Sequence, residues 1–252
     1  MPAQESEAII LRTFPLGEGD RLVSFFSRSE GRLRGVASGA RKPKSRFASS
    51  LELMSHVRIW FFERETRDLV RINQCELIES FWNVQKDYAS GLVLALASEV
   101  TEAILGEREV ADANFRLLLL LARFMKGNGP PEIALTYFAI WTVRLGGWLP
   151  QLDRCNECGA ELSGSAFASE QGGLRCANCE LPGQRIMSHG ALSLGRRMLA
   201  QNVEQFHDAN ATQRETVAEL KDYMLDLIEL HAEKRLQSRK MLRENADTGL
   251  AL

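Results

Sequence analysis

A chain of 252 residues can hold one large domain or two to three small ones, and its 45% apolar and 25% charged content exclude wholesale disorder. Its 31 basic and 33 acidic residues give a formal net charge of -2, which excludes neither nucleic acid nor protein partners, so the distribution of charge matters more than its sum. The longest strongly apolar runs, residues 92–97 and 117–122, are far too short to span a bilayer. No basic stretch leading into an apolar one opens the chain, so no secretory signal is expected, and a cytoplasmic location is. Thiols stay reduced there, and four cysteines in two close pairs then point to a metal rather than to disulfides.

Residues 7–79 predict short β segments. Ala8-Ile9-Ile10-Leu11 and Arg21-Leu22-Val23-Ser24-Phe25-Phe26 are apolar and β-prone. Val57-Arg58-Ile59-Trp60-Phe61-Phe62 alternates in its first half, and Leu69-Val70-Arg71-Ile72 follows. Gly17, Gly19, Gly31, Gly35, Gly39, Pro15 and Pro43 stand at turn-like places between them. About five short strands in about 75 residues suggest a small barrel or sandwich, and a five-stranded OB-type barrel fits that size. Trp60, Phe61 and Phe62 read as strand core rather than as a stacking platform, and Cys75 reads as a core thiol.

Beyond Phe81 the period changes. Tyr88, Leu92, Leu96, Val100 and Ile104 recur every fourth residue, as on a helix face. Residues 115–125 are apolar almost all round, the mark of a buried helix. Pro130-Pro131-Glu132 opens a helix that should stop at Gly146-Gly147. Helix is expected again over residues 189–202. A last long helix should open at Thr212, where Thr212 and Glu215 form a capping-box pattern, with Val217, Leu220, Met224 and Leu227 as its stripe. The tail after Glu244 is expected to fray. The fold class is therefore α+β: an OB-type barrel (residues 1–80), a helical domain in two parts (81–150 and 185–245) and a cysteine element between them (151–184).

Cys155-Asn-Glu-Cys158 and Cys176-Ala-Asn-Cys179 are separated by 17 residues, a C-x2-C-x17-C-x2-C spacing that predicts zinc. Two residues between cysteines let both thiolates of a turn face one ion, and two such turns complete a tetrahedral four-sulfur shell. Such a shell leaves no open position for substrate, which predicts one structural Zn2+ ion. Reduced thiols without metal are the bland alternative. His231-Ala232-Glu233 matches half of a deaminase signature, but no P-C-x-x-C follows it. His231 reads instead as the next position of the helix stripe. No Gly-x-x-x-x-Gly-Lys-Ser/Thr loop exists for a nucleotide phosphate, so an enzyme is disfavoured.

Residues 28–47 hold seven cations, Arg28, Arg32, Arg34, Arg41, Lys42, Lys44 and Arg46, against the single acid Glu30. In the loops of a small barrel they could neutralise phosphates, with Phe47 stacking on a base. A solvated basic loop is the competing reading. Arg196 and Arg197 either extend that path, meet an acidic peptide, or form a solvated helix face.

Several of these segments carry a family resemblance. Glu7-Ala-Ile-Ile-Leu11, Gly19-Asp20-Arg21-Leu22-Val23, Glu30-Gly31, Gly39-Ala-Arg-Lys-Pro-Lys-Ser-Arg46, Gly147-Trp-Leu-Pro-Gln-Leu152 leading into Cys155, and Leu236-Gln-Ser-Arg239 resemble the RecO family of bacterial DNA repair proteins over nearly the whole chain. The basic stretch is the most specific match. Leu53-Met54, where many relatives have a proline, and Gln237, where a lysine is common, depart from the pattern. The resemblance implies an OB-fold, a helical domain and a zinc element. It also implies a non-catalytic recombination mediator that binds single- and double-stranded DNA, anneals complementary strands, and helps load RecA onto DNA covered by single-strand-binding protein. Implied partners are RecR, the acidic C-terminal tail of single-strand-binding protein and, indirectly, RecA, with a nucleoid-associated cytoplasmic location and no membrane. The alternative is a zinc-stabilised interaction adaptor without a direct DNA role.

Overall fold

The computed structural model describes residues 3–47, 49–64, 67–169, 171–207 and 211–247, apart from the side chains of residues 64, 67–68, 211–213 and 246–247. In chain order come β1 (Gln4–Leu16), β2 (Asp20–Ser27), β3 (Gly31–Ala37), β4 (His56–Arg64) and β5 (Arg67–Glu79). Four helices follow: α1 (Trp82–Gln85), α2 (Tyr88–Ile104), α3 (Asp112–Lys126) and α4 (Pro131–Leu145). Then come β6 (Ala166–Ala168), β7 (Leu174–Arg175) and β8 (Arg185–Met187), and finally α5 (His189–Ala200), α6 (Ala211–His231) and α7 (Gln237–Asp247). Two compact units result, Met1–Lys126 with Leu236–Leu252, and Gly127–Arg235.

In the first unit the five strands close into a barrel in the order β1-β2-β3-β5-β4. Every pairing is antiparallel except β3 with β5, the OB-type arrangement. β1 is long enough to close the ring alone: residues 4–9 pair with β4, and residues 8–16 with β2. A register shift between Ile10 and Arg12 bends it between the two partners. Ala8, Ile10, Val23, Phe25, Leu33, Val57, Ile59, Phe61, Val70 and Ile72 fill the interior, with Phe25 edge-on to Phe61 at 5.8 Å. Trp60 and Phe62 alternate outward from Phe61, so only the middle of that aromatic triplet is core. Cys75 is core as expected, and burial pushes its thiol up to about 11.

β3 was not expected as a separate strand, yet it alternates cleanly. Gly31, Leu33, Gly35 and Ala37 are buried, while Arg32, Arg34 and Val36 are not. Glycine at 35 follows from the parallel contact with β5: a Cβ there would lie 2.7 Å from Val70 Cγ2. At Gly31, φ is +70° and a Cβ would meet the Glu109 carbonyl oxygen at 2.3 Å, because the chain between α2 and α3 crosses there. Arg32 and Glu107 form an isolated parallel bridge at that crossing, and Arg108 N–H donates to Arg32 C=O at 3.0 Å.

Asp87 caps α2 by accepting from Ser90 N–H at 2.8 Å. Leu92, Leu96 and Val100 are buried as the fourfold spacing predicts, while Tyr88 at the first turn is 64% exposed. Glu99 on this helix is buried, and it accepts the Gln237 and Ser238 N–H groups at 3.0 and 2.8 Å. Burial would raise its carboxyl, but those two N–H groups, with the Ser238 hydroxyl and the charge of Arg12, outweigh it and hold it below the usual carboxylate range. A buried carboxylate thus receives the N-terminus of α7, where the helix dipole favours negative charge. Gln237 takes part through its backbone, so the departure from lysine costs nothing at this contact.

In the second unit α4 starts at Pro131 and ends at Gly146, as the proline and glycine punctuation predicts. Val217, Leu220, Met224 and Leu227 of α6 are buried as expected. The helix begins at Ala211, and the Thr212 cap lies outside the described side chains. α7 runs to Asp247, past the expected fraying point. His231 does not continue the buried stripe; it is exposed and stacks on Trp148 at 4.7 Å with rings 7° apart. Trp141 donates to Met198 C=O at 3.1 Å, joining α4 to α5. The strands β7-β6-β8, each of two or three residues, form a small sheet beside the cysteines.

Candidate nucleic-acid interface and metal centre

Residues 38–55 connect β3 to β4, and the cations of this loop are held out by its own turns. Gly39 N–H donates to Asp20 Oδ1 at 2.8 Å, and Arg41 N–H to Gly19 C=O at 3.0 Å. Arg41 Nη1 donates to Gly17 C=O at 2.8 Å, so the loop lies against the β1–β2 turn. Beyond it, Phe47 re-enters the barrel. Its ring is 1% exposed among the core side chains. The expectation that Phe47 stacks on a base is therefore corrected: an aromatic after a run of cations is here the anchor that returns the loop to the core.

The seven cations divide by what they touch. Arg28 Nε donates to Asp112 at 2.7 Å and its Nη1 lies 3.3 Å from Glu7. Its hydrogen bond to Asp112 holds the guanidinium pKa up and the carboxyl of Asp112 down. Arg34 pairs with Glu107 at 2.8 Å, and Arg32 Nε donates to Leu105 C=O at 3.1 Å. These three fasten the barrel to the connection between α2 and α3. Arg32 and Arg34 also stand on β3 rather than on a loop. Arg41, Lys42, Lys44 and Arg46 are all exposed, and none has a carboxylate partner among the described residues. Arg46 lies over the edge of the core at 5.1 Å from the Phe47 ring. In the second unit Arg197 stacks on Phe206 at 5.3 Å and Arg196 is half-buried.

The four cysteines converge. Their Sγ atoms all lie within 4.8 Å of one another, and Cys158 to Cys176 is 3.7 Å. Tetrahedral Zn–S bonds of about 2.3 Å require sulfurs about 3.8 Å apart. The first pair sits on a tight turn, with Gly159 N–H donating to Cys155 C=O at 2.9 Å and Gly159 at φ +72°. The second pair sits on a turn closed by Cys179 N–H to Cys176 C=O at 2.9 Å. Asn156 joins the two by exchanging hydrogen bonds with Leu174 at 2.8 and 3.0 Å. Burial raises the Cys155 thiol, yet the N–H groups of Cys158, Cys176 and Glu157 point at it and bring it down to about 6. A sulfur surrounded by N–H groups is held ready as thiolate, the form that binds metal. The cluster can hold a metal ion through all four cysteines and offers it no other protein ligand among the described residues.

The family described as "Recombination protein O N terminal" matches residues 1–81, and "Recombination protein O C terminal" matches residues 85–240. The chain belongs to the RecO family. A protein of Koribacter versatilis named "DNA repair protein RecO" is 37% identical over 241 residues, covering 95% of this chain and 98% of that one. Relatives of the same name from Symbiobacterium thermophilum and Syntrophobacter fumaroxidans are 32% and 30% identical, covering 94% and 98% of this chain and 95% and 100% of theirs. A RecO-family DNA repair protein with a closed five-stranded barrel and a four-cysteine cluster is thus the frame for its function. Among the described residues no helix is long and apolar enough to cross a membrane.

Proposed function

We propose that this chain is a non-catalytic recombination mediator. It binds single- and double-stranded DNA, anneals complementary strands, and helps load RecA onto single-stranded DNA covered by single-strand-binding protein, acting with RecR. The carrying observation is the set of four carboxylate-free cations, Arg41, Lys42, Lys44 and Arg46, on one exposed loop of an OB-type barrel. In a chain of net charge -2 these are a local excess placed to follow a phosphate backbone without reading its sequence. Annealing needs no nucleophile, only two strands held close while their repulsion is screened. The names of the relatives support DNA repair; RecR, the acidic tail of single-strand-binding protein and a nucleoid-associated cytoplasmic location are carried by the family resemblance.

Cys155, Cys158, Cys176 and Cys179 hold one Zn2+ in this reading. The sulfur spacing suits it, and a filled four-sulfur shell makes its role structural. The test of the DNA site is fluorescence anisotropy of labelled single-stranded DNA at several salt concentrations. Wild type should show a slope of log K against log salt of about -3 for four cations. Arg41→Ala/Lys42→Ala/Lys44→Ala/Arg46→Ala should lose most of that affinity and slope. Equal binding by the two proteins would remove the loop from the site, and failure of both to bind would favour the zinc-stabilised adaptor.

A further inference from the structure

On the outer surface of the barrel, strand pairing aligns residues in rows. Arg12 pairs with Ser24, and Ser24 with Arg34. This row is covered: Ser24 Oγ donates to Glu102 at 2.6 Å, Arg12 Nε lies 2.8 Å from Glu102, and Arg34 lies 2.8 Å from Glu107. Two residues along each strand the cover ends. There Phe14 pairs with Leu22, Leu22 with Val36, and Val36 with Arg71 of β5. The row faces outward, since its strand neighbours Val23, Ala37, Val70 and Ile72 are core. Phe14 is 48% exposed, Leu22 and Val36 are half-buried, and Arg71 is exposed without a carboxylate partner among the described residues.

An aromatic ring, two aliphatic side chains and an arginine therefore cross about 14 Å of open barrel surface, three strand spacings wide. The row adjoins the basic loop at the β1–β2 turn and at the end of β3. Val36 precedes the loop by one core residue, and the β1–β2 turn that follows Phe14 receives Arg41 at Gly17 and has the Lys42 side chain beside Gly19, where an added Cβ would lie 3.3 Å from Lys42 Cε. We propose that this row is a base-stacking platform for unpaired nucleotides, with Phe14 taking one base face and Arg71 a second base or its phosphate, while the loop cations hold the backbone. This rests on the loop being the DNA site. Aromatic stacking tolerates any base, and it is denied to bases already stacked in a duplex. The row thus makes the site prefer single strands, whereas the loop alone binds either form through phosphate.

The experiment is anisotropy with three labelled probes: an oligothymidylate, a duplex of equal length, and an abasic strand of equal length. Phe14→Ala should weaken the oligothymidylate about tenfold. Its salt slope, its binding of duplex and abasic strand, and its melting temperature should stay at wild-type values. Phe14→Trp should restore the loss, and Arg71→Ala should weaken the oligothymidylate with a reduced salt slope. Wild-type affinity of Phe14→Ala for all three probes, or an equal loss on all three, overturns the platform. The quadruple loop variant separates the two readings: if it loses every probe while Phe14→Ala loses none, the loop stands and the row fails. If it keeps wild-type binding while Phe14→Ala weakens the oligothymidylate alone, the row stands and the loop fails.

Discussion

Phe47 fills the barrel interior from the loop that carries the cations, so its substitution separates packing from DNA contact. Phe47→Ala is expected to destabilise by about 3–5 kcal/mol through the cavity it leaves. Phe47→Leu should cost about 1 kcal/mol and bind single-stranded DNA like wild type. Denaturant unfolding and a DNA titration on the same samples check both. A loss of binding in a stable Leu variant would return the ring to the interface. His56 is a second residue whose burial has a measurable consequence. It is 4% exposed, packs edge-on to Phe115 at 5.9 Å, and neither ring nitrogen makes a hydrogen bond, although Glu7 Oε2 lies 3.4 Å away. Burial lowers its pKa from the ordinary 6.5, and the charge of Glu7 only partly opposes this. The unfolded chain then takes up a proton as pH falls through about 6.5 while the folded chain does not. Stability should therefore decline below that pH, by at most about 1.4 kcal/mol per pH unit for one proton. Urea midpoints measured from pH 7.5 to 5.5 should fall for wild type and flatten for His56→Leu. An equal slope in both would show that another group titrates.

At the scale of elements, the start of α7 meets the buried carboxylate of Glu99. Glu99→Gln keeps an acceptor oxygen but removes the charge that two backbone N–H groups address, and should cost about 1–3 kcal/mol at pH 7. Hydrogen exchange should place the loss of protection in α7 and α2, and uniform loss across the barrel would contradict that placement. This contact is invisible in sequence, because 138 positions separate Glu99 from Gln237. What is legible is what repeats locally or is punctuated. The fourfold stripe of α2, the Pro131 start and Gly146 stop of α4, and the paired cysteines each carry their signal within a few turns of chain. β3 carried its signal too, a strict alternation, but Gly31, Gly35 and two arginines made it read as loop. The division of the basic segment was not legible, since whether an arginine is free depends on Glu107 and Asp112, which stand far along the chain. β6, β7 and β8 are too short to show any period.

For the whole molecule, the two compact units hold two tryptophans each: Trp60 and Trp82 in the barrel unit, Trp141 and Trp148 in the unit that carries the cysteines. That division makes the role of the metal cluster testable by site. Zinc in a four-cysteine shell would link the turn at Cys155 to the turn at Cys176, which otherwise share the Asn156 bonds and the Arg175–Glu157 ion pair. Chelation, or Cys155→Ser, should therefore lower the melting temperature reported by Trp141 and Trp148, read in variants that retain only one tryptophan pair. The DNA affinity at 25 °C should hold while the melting temperature falls, because every cation proposed to meet phosphate lies in the barrel unit. Metal content measured on the same samples should drop from one zinc per chain to near none. A Cys155→Ser protein with full zinc and an unchanged melting temperature would refute the structural role. A chelated protein that lost DNA binding before it lost stability would move part of the DNA site from the loop to the cysteine element.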